Sequence, residues 1–248
     1  MHIVSKKLFR FLFLFVLGCS ILPAARSQAV SPGMEVLQMI KVANTYRYAP
    51  NLSFDVQVTY ADSVAVDSVV EQITANYKLH SGLFYTYIDS TEIVQGNLYN
   101  VRVSHTDSVI TIRNRDVYPD VLNMPVTDTL YWRTFAQGLT ATDINDSTRA
   151  LKIIFKPGAV FSSYEIKYST RSFLLQEVKC YMPADTTGAD PGLYASGKAL
   201  IKFVFSGYST SAVGNEWFSE DKFVSLINGR FQPKPDYNGY FIETTIAQ

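Results

Sequence analysis

Apolar and polar residues alternate with a period of two through most of this chain, and that pattern restricts it to a fold built from half-buried strands. Phe54, Val56, Val58 and Tyr60 alternate with Asp55, Gln57 and Thr59; Tyr99, Val101 and Val103 alternate with Asn100, Arg102 and Ser104. Ile110 and Ile112, the run Leu151, Ile153 and Phe155, the run Tyr164, Ile166 and Tyr168, and finally Ile201, Phe203 and Phe205 follow the same rule. Successive side chains on a strand point to opposite faces, so each run describes a strand with one apolar and one wet face. Turn signals such as Gln95-Gly96-Asn97, Thr106-Asp107-Ser108 and Pro157-Gly158 separate the runs. Strands recurring at roughly ten-residue intervals mark an antiparallel meander.

Helical spacing occurs once with clarity. Ser31-Pro32-Gly33 supplies an N-cap and a proline at the first helical position. Val36, Met39, Ile40, Ala43 and Tyr46 then recur at spacings of three and four through about Tyr48, and Pro50 ends the segment. A second, short helix is expected after Asp128, with Leu130, Tyr131, Phe135 and Leu139 on one face. Pro183 to Gly197, rich in Asp, Thr, Gly and Pro, reads as an exposed loop between two strands. The expected fold is mainly β (α+β): one large, curved, antiparallel sheet covered by an N-terminal and a second short helix.

Residues 1–29 read as an export signal. Lys6, Lys7 and Arg10 precede an apolar run, Phe11 to Leu17, that is too short to span a bilayer. Ser27-Gln28-Ala29 offers small residues for cleavage before Val30, leaving residues 30–248 as a single expected domain. Val16-Leu17-Gly18-Cys19 competes as a lipobox, with Cys19 as the lipidation site. The expected location is the periplasm, or the outer membrane by an anchor at Cys19, and any membrane contact is peripheral. Past residue 29 the chain holds 18 basic and 22 acidic residues, which argues against a nucleic-acid partner. Cys180 is then the one cysteine left, so no internal disulfide is expected.

The residues that carry chemistry are sparse. Past the signal only His80 and His105 remain, without the short-spaced partners a zinc site needs. Gly138, Gly158 and Gly207 stand alone, so neither a phosphate loop nor a dinucleotide fingerprint is present. Carboxylates such as Asp62, Asp67, Asp89 and Asp107 sit beside Ser, where bonding to the local backbone accounts for them. No cofactor and no enzymatic activity are expected. What stands out instead is 16 Phe and 16 Tyr, enough for either a packed core or an apolar cavity.

A helix leads into Asn51-Leu-Ser-Phe-Asp-Val-Gln-Val-Thr59, followed by Tyr77 to Ile88 and Leu98 to Ser104. The chain closes with Ile201 to Tyr208, Trp217-Phe218-Ser219, Phe231-Gln-Pro-Lys-Pro235 and Gly239. This order of elements resembles that of the periplasmic outer-membrane lipoprotein carrier and receptor (LolA/LolB-like) family. His80-Ser81 stands where the family tends to place Arg-Pro. The resemblance implies an unclosed β half-barrel around a hydrophobic cavity for a lipid or lipoprotein acyl chain. Candidate lining residues on the first alternating strand are Phe54, Val56, Val58 and Tyr60. Tyr99, Val101, Val103, Ile201, Phe203 and Phe205 complete the set, and each is equally a candidate for ordinary core. The alternative is a structural or accessory envelope protein with a filled cavity that acts through protein contacts.

Overall fold

The computed structural model describes residues 33–116, 119, 131, 134–187 and 190–246. Residues 1–29, expected as an export signal, and with them Cys19 lie outside these. Helix α1 spans Met34–Arg47. Its buried stripe is Met39, Val42 and Tyr46, continued past the helix end by Ala49, while Ile40 is 42% exposed. The stripe expected from spacing shares Met39 and Tyr46 with this one but runs between them through Ile40 and Ala43. Val42 also satisfies the spacing of three and four, and packing places it inside in their stead.

Fourteen strands follow: β1 Leu52–Asp62, β2 Val69–His80, β3 Leu83–Ile88, β4 Thr91–Gln95, β5 Asn100–Ser104, β6 Val109–Arg113, β7 Ala136–Asn145, β8 Thr148–Phe155, β9 Ser163–Ser169, β10 Leu175–Pro183, β11 Lys198–Ser209, β12 Val224–Ile227, β13 Arg230–Pro233 and β14 Phe241–Thr244. Twelve make one sheet in the order β14-β6-β5-β4-β3-β2-β1-β11-β10-β9-β8-β7, and β12 pairs with β13. The first and last strands of that order are different strands without a bond between them, so the sheet is not closed into a barrel. Its meanders β2 to β6 and β7 to β11 are antiparallel, and β14 joins β6 in parallel. This is the mainly β, open antiparallel architecture that the alternation predicts.

The segment expected as a second helix is described only in part. Tyr131, Thr134 and Phe135 are helical, and Asp128 and Leu130 lie outside the described residues. Leu139 does not join that helix; it belongs to β7, paired with Ile153. The Thr-rich run Thr140-Ala-Thr142 favours an extended chain there. Between β10 and β11 lie two short 3-10 turns, Ala184–Thr186 and Pro191–Leu193. That connection is not the wholly exposed loop expected, because Ala184, Thr187 and Tyr194 are buried.

The described residues divide into two compact units, one made of the stretch up to Val42, Gln57–Gln72 and the stretch ending at Val204, the other of Ala43–Val56, the stretch from Ile73 and the stretch from Phe205. In the first, alternation works as the sequence predicts. Leu151 and Ile153, Tyr164 and Ile166, then Val178 and Cys180 are buried on one face of β8, β9 and β10. The other face carries ion pairs, Lys152 to Glu165 at 2.8 Å and Lys167 to Glu177 at 2.9 Å. Such solvated pairs contribute little each, about 0–1 kcal/mol.

In the second unit both faces of β4 to β6 are buried. Val94, Val101, Val103, Ile110 and Ile112 form a core with Phe218, Phe223 and Val224 of the C-terminal segment. On the opposite face Asn100 and Gln95 are fully enclosed and Arg102 is 7% exposed, where the sequence predicts a wet surface. A closed amide network explains the burial of Gln95 and Asn100, since buried polar groups must be bonded. Gln95 Nε2 donates to the Asp116 carbonyl at 2.9 Å, Asn100 Nδ2 to Asp116 Oδ2 at 3.2 Å, and Arg113 Nε to Asn100 Oδ1 at 3.1 Å.

Gly207 interrupts the alternation of β11. Its φ of 63° is left-handed, and Phe205 and Tyr208, three residues apart, both reach Phe54. A Cβ there would also stand 2.7 Å from Asp55 Oδ2. Gly207→Ala is expected to destabilise the protein by about 1–3 kcal/mol. At Gly138 a Cβ meets nothing within 4 Å, so Gly138→Ala is expected to stay within about 0.5 kcal/mol of wild type; urea titration of both variants checks the pair.

Candidate functional site

The ten candidate lining residues do not form one surface. Phe54 (2% exposed) and Val56 (0%) are buried on β1. The Phe54 ring stacks on Tyr77 with centroids 5.0 Å apart and meets Tyr46 edge-on at 5.4 Å. Phe205 and Tyr208 complete the surround at 6.1 and 5.5 Å. The Tyr46 and Tyr208 hydroxyls bond to each other. Burial raises the Tyr208 hydroxyl pKa well above the usual tyrosine value, and the Tyr46 hydroxyl adds to the shift. Rings on every side leave Phe54 as packed core.

Tyr99, Val101 and Val103 face the other way. Val101 pairs with Val94, Val94 with Tyr85, and Tyr85 with Lys78. Paired residues share a face and sequence neighbours do not. Tyr77, adjacent to Lys78, carries the ring stacked on Phe54, so Val101 and Phe54 lie on opposite faces of the sheet. Val101 and Val103, both fully buried, are covered by Phe218, Phe223 and Val224, and Tyr99 packs edge-on against Phe231 at 5.2 Å. The common lining expected from the sequence is corrected accordingly: these three residues belong to the core beneath the C-terminal segment.

That core contains an acid which sequence reasoning missed. Glu92, with a side chain 12% exposed, accepts from Lys222 Nζ at 2.6 Å and from the Tyr85 hydroxyl at 3.2 Å. His105 Nε2 lies 3.1 Å from its other oxygen, and the ring's Nδ1 is 3.1 Å from the Tyr240 hydroxyl. The acid thereby ties two residues of the C-terminal segment to β3 and β4. Nothing local in Thr91-Glu92-Ile93 signals this, because Lys222 lies 130 residues away.

The remaining candidates lie in the first unit. Val58 and Tyr60 are buried at 5% and 8% exposure. Burial is the main force raising the Tyr60 hydroxyl pKa, and the nearby Glu71 carboxylate adds to it. Ile201 and Phe203 are half-buried, although the residues paired with them on β10, Cys180 and Val178, are buried. An aromatic row continues on this side of the unit, where Phe161 meets Tyr164 at 4.7 Å and Tyr164 meets Phe155 at 6.0 Å.

Catalytic features are weak. Burial pushes the Cys180 thiol up to about 12, a bond with Tyr164 only partly offsetting it, so no thiolate stands ready at neutral pH. Among the described residues no group of three His, Cys, Asp or Glu is placed to hold a metal ion, and no helix is long and apolar enough to cross a membrane.

No family model and no curated protein matches the sequence. Solved structures do. An uncharacterized conserved protein from Thermus thermophilus is similar over 85% of this chain and 99% of its own, at 9% identity and a TM-score of 0.45. A LolA superfamily protein from Nitrosomonas europaea is similar over 75% and 98%, at 12% identity and a TM-score of 0.31. The lipoprotein LppX of Mycobacterium tuberculosis covers 74% of this chain and 99% of its own, at 14% identity and a TM-score of 0.33. One of these is described as a LolA superfamily protein, and the likeness transfers no ligand or partner to this chain.

The Glu92 carboxyl lies below its ordinary value. Burial alone would raise it, but the Lys222 bond and charge, with His105 and Tyr85, reverse that. A depressed carboxyl contributes stability above its unfolded pKa of about 4.3 and loses it as pH falls through the folded value. Glu92→Gln is therefore expected to cost about 1–3 kcal/mol at pH 7 and to flatten the wild-type loss of stability below about pH 4. Thermal melts of both proteins from neutral to acid pH check this, and equal melting points at pH 7 would contradict it.

Proposed function

We propose that this chain is a non-enzymatic cell-envelope protein that binds a lipid or a lipoprotein acyl chain along Ile201 and Phe203. The observation that carries the reading is the partial exposure of these two side chains on a face whose paired residues are buried. Val178 and Cys180 are 1% and 4% exposed, so an apolar surface continues from closed core into open contact within one strand spacing. A large aromatic side chain left partly in water forgoes about 25 cal/mol for each Å² of apolar surface still wet, and an alkyl chain laid against it recovers that contribution. Lys202, between the two, pairs with Lys179 on the opposite face, so no charge interrupts the stripe. Export rests on the signal-like residues 1–29, with cleavage before Val30 and lipidation at Cys19 as its alternative.

A second reading draws on the enclosure of Phe54 and of Val101. With these positions filled by side chains, the protein would serve as an accessory component of an envelope assembly through contacts with another protein. Titration of a fluorescent naphthylamine probe separates the two when combined with melts of Phe203 variants. The lipid reading predicts saturable probe uptake by wild type, its loss in Phe203→Asp, and retention of the fold by that variant. Phe203→Ala should cost less than the about 3–5 kcal/mol of a fully buried phenylalanine. A wild type that takes up no probe, with a Phe203→Asp chain that does not fold, would favour the accessory role.

A further inference from the structure

The second unit holds a cleft of about 330 Å³ that the lipid reading does not use, lined by Asp55 of β1, Asn76 and Lys78 of β2, Tyr87 of β3 and Trp217. The register explains its floor. Asn76 pairs with Tyr87 and Lys78 with Tyr85, which places these side chains together on the face opposite Tyr77. Trp217 comes from the 3-10 turn Asn215–Phe218; its ring lies 4.8 Å from that of Tyr85 and 4.4 Å from the Lys78 ammonium. Trp217 is 38% exposed and Tyr87 41% exposed, so two aromatic rings border the opening and reach solvent.

We propose that this cleft binds a saccharide. The Asn76 amide donates to Asp55 Oδ1 at 2.5 Å, which fixes an acceptor and a donor side by side, the arrangement that two neighbouring hydroxyls of a sugar ring can bridge. Gly207 keeps the other carboxylate oxygen clear, since a Cβ there would come within 2.7 Å of it. The apolar C–H face of a pyranose would meet the tryptophan ring, whose indole N–H remains a further donor. An alkyl chain is the wrong occupant, because it would strip water from the Asp55 carboxylate and the Lys78 ammonium and offer their remaining hydrogen-bonding capacity nothing in return. A phosphorylated ligand is disfavoured as well, because the Asp55 carboxylate offsets the one lysine. The volume lies at the small end of ligand pockets, which suits a short glycan or the end of a longer one.

The test uses the mature protein labelled with 15N in its tryptophan indoles and titrated with chitotriose, cellotriose and maltotriose. The Trp217 resonance is assigned from Trp217→Phe. The proposal predicts that at least one trisaccharide shifts this resonance saturably, with a midpoint in the range of about 0.1–10 mM. Asn76→Ala, at an exposed position, should keep the wild-type melting point and bind at least about tenfold more weakly. No shift with any of the three sugars, or an equal affinity in Asn76→Ala, would overturn the proposal. So would a Trp217 shift produced by octanoate but by none of the sugars.

Discussion

Strand register is the constraint on which the rest of this structure depends. A strand has two faces, and a slip of one residue exchanges them. In the second unit the pairing of Lys78 with Tyr85, and of Tyr85 with Val94, sends Val101 to one side of the sheet and leaves Tyr77 with Phe54 on the other. Two separate cores follow from that one offset. The first is a set of rings around Phe54. The second is an aliphatic layer that needs a cover, which Phe218, Phe223 and Val224 supply. Glu92 fastens that cover, because an acid enclosed there is stable only while Lys222, His105 and Tyr85 bond to it.

The faces of individual strands are legible in the sequence, and their relation to one another much less so. Phe54, Val56, Val58 and Tyr60 share a face as their spacing predicts, and so do Leu151, Ile153 and Phe155. Period two relates residues within one strand; it does not say which face of the sheet a second strand's apolar residues join. Spacing alone groups Tyr99, Val101 and Val103 with Phe54 for that reason, and register separates them. Asn100 and Arg102 look like surface residues because they are the polar members of their alternation, yet a buried amide is stable once its partners are in place. The partners of Asn100, namely Gln95, Arg113 and Asp116, all come from outside β5 and cannot be read from its pattern.

The C-terminal segment shows the same limit from another direction. Trp217-Phe218-Ser219 and Phe231 to Pro235 are visible in the sequence as an aromatic run. Their work as a cover depends on where β3 to β6 present apolar side chains. Helix α1 is legible in extent and ambiguous in phase: Val42 and Ile40 both fit a helical stripe, and only packing decides that Val42 is inside. The cleft around Trp217 is not legible at all, since Asp55, Asn76 and Lys78 read as the wet faces of two strands until their pairing brings them beneath one ring.

Two kinds of surface result, and the two proposals assign them different ligands. The stripe at Ile201 and Phe203 is apolar and partly open; the Trp217 cleft mixes aromatic rings with a fixed carboxylate–amide pair. The central claim concerns the apolar stripe. Native mass spectrometry of the protein purified from its native source without detergent tests it most directly, since a bound acyl chain adds its mass to that of the polypeptide. The account predicts a population heavier than the polypeptide by the mass of a lipid or acylated peptide, released as the free polypeptide on denaturation. A single species at the bare polypeptide mass, from material never exposed to detergent, would contradict it.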